Sequence, residues 1–148
     1  GLGLRLHADQ LQRSGAALLG AELGALSVDH LEQMTVQDAL ALAGTVLATV
    51  AFAGLGLLMA GTLRGEMTLA LANGLYLVLL LLGGTVIPLD ELPAAVQTLA
   101  ELLPAAALAD IMIGALTPGG GIATRSWVVL VVWAVATPIA AVRWFRWE

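Results

Sequence analysis

Three long runs of this chain contain no charged side chain at all: Ala39–Leu63 (25 residues), Met67–Leu89 (23) and Ser126–Val142 (17), together 65 of the 148 residues. A helix on the surface of a soluble protein needs a wet face, so polar residues should recur every turn or two. Here they do not. A bilayer core about 30 Å thick needs ~20 apolar residues at ~1.5 Å rise each, and the first two runs reach that length unaided. The first carries seven Leu, two Val and Phe52, and the second nine Leu, two Val and Ile87. Near a helix centre such residues favour insertion by about 0.3–0.6 kcal/mol each. The third run is shorter. Trp127 near its start and Trp144, Phe145 and Trp147 beyond its end put aromatic rings at both expected interfaces and extend the span to about 126–145. Pro138 inside it implies a kink. The predicted fold class is all-α, a polytopic transmembrane bundle.

Composition narrows the function. Hydrophobic residues make up 59% and charged residues 11%, against about 45–50% and 25% in soluble domains. The absence of Cys excludes disulfide scaffolds, thiol catalysis and Cys-ligated metal or cluster sites. The formal net charge of -5, with no Lys among the six cations, argues against nucleic acid as a partner. His7 and His30 have no partner at ligand spacing, no Ser/His/Asp set shares a helical face, and no cofactor motif is present, so enzyme chemistry has no support. No signal peptide is visible.

The ends of the spans carry the remaining information. Residues 1–38 form a separate N-terminal segment in which Gly15–Val28, Ala- and Gly-rich and holding Glu22, reads either as a short or partial transmembrane helix or as an interfacial one. The polar loop after it offers Thr35 or Asp38 as a cap for the first clear span. Residues 90–117 are apolar but regularly charged and read as a pair of short outer helices. Leu92, Val96, Leu99 and Leu103 make one stripe; Pro104 stops it and opens a second with Leu108, Ile111, Met112 and Leu116. Such a pair lies at the interface or dips partly into it. Placing Arg64, Arg143 and Arg146 on the cytoplasmic side satisfies the positive-inside rule and puts the pair outside; Arg125 is the exception.

At this point the residues carry a resemblance. A charge-free helix, a TLRGEM loop, a helix with ALANGLYLVLLLLGGTVIP, then LDELPAAVQTLAELLPAAALADIMIGAL and a last helix ending AVRWFRWE is similar to the C-terminal half of an ABC-2 type transporter permease, of the daunorubicin or drug-resistance kind, over roughly residues 39–148. The resemblance implies a multi-pass permease of a bacterial plasma membrane, dimerising with itself or a second permease and working with a separate cytoplasmic ATP-binding cassette subunit. The cargo it implies is a drug, lipid or other amphiphile. It also implies that the earlier helices of that fold are missing from this stretch. A non-transporting membrane scaffold or accessory subunit is the alternative.

Each candidate residue has two readings. Thr45, Thr49, Asn73 and Tyr76 line a translocation path or make interhelical hydrogen bonds of about 0.6 kcal/mol each. Gly54, Gly56, Ala60, Gly83 and Gly84 permit close helix approach, Gly56-x-x-x-Ala60 being a small-xxx-small pair, or are ordinary membrane-helix glycines. Asp90 and Glu91 steer cargo at an outer gate, or simply favour the start of a helix before Pro93.

Overall fold

The computed structural model describes residues 5–7, 16–24, 27–29 and 34–146. The N-terminal segment is a small parallel strand–helix–strand unit: β1 (Arg5–His7), α1 (Ala16–Glu22) and β2 (Ser27–Asp29), with Arg5 opposite Ser27 and His7 opposite Asp29. The helix expected within Gly15–Val28 therefore has seven residues, about 10 Å, too short to cross a bilayer, and Glu22 at its end is exposed. Period-two alternation cannot declare a strand of three residues, so neither strand was legible. His30 and Trp147 lie outside the described residues.

The rest is helical. Among the described residues, three helices are long and apolar enough to cross a membrane: α2 (Val36–Thr62), α3 (Gly65–Leu82) and α6 (Thr124–Trp144). The first begins three residues before the charge-free run because Thr35 and Asp38 form a capping box: the Asp38 amide donates to Thr35 Oγ1 at 3.2 Å, and the Thr35 amide to the Asp38 carboxylate at 2.9 Å. The second stops seven residues short of its run. Gly84, at φ +76°, takes the chain out of the helix, and the apolar stretch through Pro88 continues as bends to a 3-10 turn at Leu89–Glu91.

Helices α2 and α6 run the same way, since Ala51, Gly54 and Gly61 meet Thr137, Pro138 and Phe145 in order. The outer pair becomes α4 (Ala94–Ala100) and α5 (Pro104–Leu116), bent by 83° at the break between them. Helix α5 runs against α2, with Ile111 at Gly44 and Ala105 near Phe52. It does not lie flat. Ala106, Ala107, Ala109, Ile111 and Ala115 are buried, and the core is Ala48, Ala107, Ile111, Val129 and Leu130 from α2, α5 and α6. The small Ala faces of α5 let it sit this close to both neighbours. The pair therefore dips inward, its corner level with Trp133, nine residues into α6 and about 13 Å below its start. Leu99, expected on the buried stripe, is 65% exposed, and Ala100 at 0% takes its place. The bend re-aims the short α4, so a stripe extrapolated through it slips by one residue.

Candidate translocation site

Between α2 and α3 lies an apolar cavity of about 420 Å³, bounded by Phe52, Gly56 and Met59 on one side, Tyr76 and Leu79 on the other, and Thr85 and Ala105 beyond the end of α3. It exists because the two helices meet only near their connecting loop. There Thr68 Oγ1 is 3.1 Å from the Arg64 carbonyl and 3.4 Å from that of Met59. Beyond it α3 stands off, and no residue of α3 is buried. A helix apolar on all sides is ordinarily enclosed by lipid or by other helices.

Of the five residues expected in a translocation path or in helix packing, the cavity brings together Tyr76 and Gly56 and leaves out Thr45, Thr49 and Asn73. Thr45 and Thr49 donate to carbonyls one turn back in their own helix, Ala41 at 2.9 Å and Thr45 at 2.8 Å. Thr45 Oγ1 also sits 3.9 Å from the sulfur of Met112 on α5. Asn73 is exposed on α3 but is not part of the cavity wall. Gly56 does not mark a close approach, since a Cβ there meets nothing within 4 Å. Close packing falls instead at Gly54, where a Cβ would lie 2.6 Å from the Pro138 nitrogen and from Thr137 Oγ1, and at Gly44, 2.7 Å from Ile111 Cγ2.

Around this site, polar groups are held by partners that spacing alone did not single out. The Asp110 carboxylate of α5 accepts from the Ala123 amide at 3.1 Å and Ser126 Oγ at 2.7 Å, capping the N-terminus of α6 from outside that helix. Trp133 Nε1 donates to the Leu102 carbonyl at 2.9 Å. That carbonyl sits at the α4–α5 break, where an orphan acceptor at membrane depth would be costly. Thr137 Oγ1, buried, is 2.8 Å from the Ala51 carbonyl on α2 and 2.9 Å from that of Trp133 in its own helix, just before Pro138 interrupts the ladder. The signal for all three was the polar residue inside an apolar helix; its partner is set by tertiary packing.

The remaining candidates lie at the two ends. Asp90 and Glu91 are exposed in the 3-10 turn before Pro93, which is the N-cap of α4, and Pro104 is the first residue of α5. Arg125, the exception to the charge rule, pairs with Glu101 at 2.6 Å. Arg64 immediately precedes α3, Arg143 lies in the last turn of α6, and Arg146 follows it, so Arg64 and Arg146 share one end of the bundle. Among the described residues, no three His, Asp or Glu side chains are grouped so as to hold a metal.

The model of one family, described as ABC-2 type transporter, matches residues 25–117. A part of the chain is also similar to imidazolonepropionases: 57% identical over 51 residues to that of Salinispora arenicola, and 53% over 45 residues to that of a Ruegeria species. These matches cover 34% and 30% of this chain, which spans only 13% and 11% of the length of those relatives. No solved structure matches the chain.

Proposed function

This chain belongs to the ABC-2 type transporter family and is a multi-pass membrane component of a transporter, and from that premise we propose that it serves an exporter of amphiphiles driven by a separate cytoplasmic ATPase. The observation that carries this reading is the apolar cleft between α2 and an α3 without a single buried residue. An amphiphile such as a drug or lipid fits a wall of Phe52, Met59, Leu79 and one phenol, Tyr76. A second permease copy or a homologous permease would close the open side. The exposed Asp90 and Glu91 then stand near the outer mouth, and the bacterial plasma membrane is the setting. Hydrolysis belongs to a partner because the glycines at 119–121 run into IATRSW and lack the Lys of a phosphate loop.

The test is a pair of assays, one on the purified chain and one in membrane vesicles. Alone, it should hydrolyse no ATP above background. Expressed with its permease partner and the ATP-binding subunit, it should accumulate a fluorescent amphiphile in inverted vesicles only when ATP is supplied. ATP-independent accumulation, or none with all subunits in place, would favour the scaffold alternative.

A second reading applies to residues 1–34 alone. A parallel strand–helix–strand unit is the grammar of α/β enzymes, where the sheet is covered on both faces, and it is foreign to a membrane bundle. The imidazolonepropionase-like stretch runs to 51 residues, more than this segment holds, so it is not confined to it, and the strand–helix–strand unit alone favours an enzyme-like origin for the segment. Two three-residue strands are too little for that activity, so the chain should not turn over imidazolone propionate, and a chain starting at residue 35 should insert its three spans normally.

A further inference from the structure

At the end of the bundle where α2 turns into α3, a second cavity of about 740 Å³ opens between the turn at 60–65 and the tail at 144–146. The two segments are pinned together. The Arg146 amide donates to the Gly61 carbonyl at 2.9 Å, and the Phe145 ring packs so tightly on Gly61 that a Cβ there would overlap it. Arg64 and Arg146 line this cavity from the two sides, and among the described residues no Asp or Glu lines it. Among the described residues neither guanidinium forms an ion pair, whereas Arg125 at the opposite end is held by Glu101. Beside the cavity, Trp144 is 55% and Val142 86% exposed, continuing the apolar surface of α6 up to its rim.

We infer that this cavity binds the phosphate of an anionic phospholipid headgroup between Arg64 and Arg146, with the acyl chains lying along α6. A guanidinium matches phosphate oxygens in a bidentate fork. The cavity sits where charge-free helices end and a Trp marks the interface, the depth at which lipid phosphates lie and at which basic pockets recognise headgroups. Exposed Val142 and Trp144 favour a lipid over a water-soluble anion, because they offer apolar surface next to the charges. The inference does not depend on the transport reading.

Native mass spectrometry of the full chain in detergent, titrated with phosphatidylglycerol or phosphatidylcholine, tests it. The wild type should hold phosphatidylglycerol in preference. Each Arg near an anionic lipid contributes about fivefold, so R64Q and R146Q should each weaken binding by about that factor and the double variant by about 25-fold. R125Q removes the same charge at the other end and should change nothing. Thermal unfolding in phosphatidylcholine should be the same for all, separating lipid binding from folding. Undiminished phosphatidylglycerol binding by R64Q/R146Q, an equal loss in R125Q, or no preference in the wild type would overturn the assignment. Displacement by inorganic phosphate as readily as by short-chain phosphatidylglycerol would overturn its lipid character.

Discussion

Gly54 is the residue on which the α2–α6 contact turns. Any side chain there meets the Thr137 hydroxyl, which is bonded to the Ala51 carbonyl, and the backbone nitrogen and ring of Pro138, which cannot swing aside. Gly54→Ala should destabilise the bundle by about 1–3 kcal/mol, while Gly56→Ala, which points into open space, should be neutral or slightly stabilising through helix propensity. Unfolding of the two variants in mixed micelles, followed by circular dichroism, reads the difference directly. Asp110 makes a second residue-scale case. Asp110→Ala leaves the Ala123 amide and the Ser126 hydroxyl without their acceptor and should cost about 1–3 kcal/mol. Asp110→Asn keeps one acceptor oxygen and should cost less in the same assay.

At the scale of elements, the decisive feature is the corner between α4 and α5. Its open carbonyl at Leu102 is closed by the indole of Trp133. Trp133→Phe keeps the ring and removes that donor, so amide exchange over residues 102–106 should accelerate while the middle of α2 is unchanged. Uniform exchange across both segments would deny the indole this local role. The three spans themselves were legible because lack of charge over 17 to 25 residues is a signal no soluble element imitates. Their ends were less so. Thr35 and Asp38 extend α2 by a local box that spacing suggests, but Gly84 ends α3 through a backbone conformation that apolar composition conceals. Tyr76, a path candidate, lines the cleft together with Gly56, which the sequence offered for close packing instead; Thr45 and Thr49 turned back on their own helix, a choice sequence spacing does not reveal. Leu99 slipped off its stripe because an 83° bend follows it.

For the whole molecule, the account is that of a transporter membrane component with two unlike ends. Arg64, Arg143 and Arg146 share one end, which the proposed reading turns to the cytoplasm and an ATPase; the ion-paired Arg125 and the exposed Asp90 and Glu91 lie toward the other, proposed outer end, toward which α5 rises. Between them, α2, α5 and α6 form the packed core, and α3 has no buried residue, the face that the proposed reading gives to a second permease. The chain contains no Cys, so an introduced one can be labelled without background. Gly65 and Gly121 are suitable positions because a Cβ at either meets nothing within 4 Å, whereas Gly120 is crowded by the Gly114 carbonyl at 2.6 Å. In intact cells, a membrane-impermeant maleimide should label Gly121→Cys and leave Gly65→Cys untouched until the cells are permeabilised. Labelling of Gly65→Cys from outside, with Gly121→Cys protected, would contradict the orientation on which the permease reading rests.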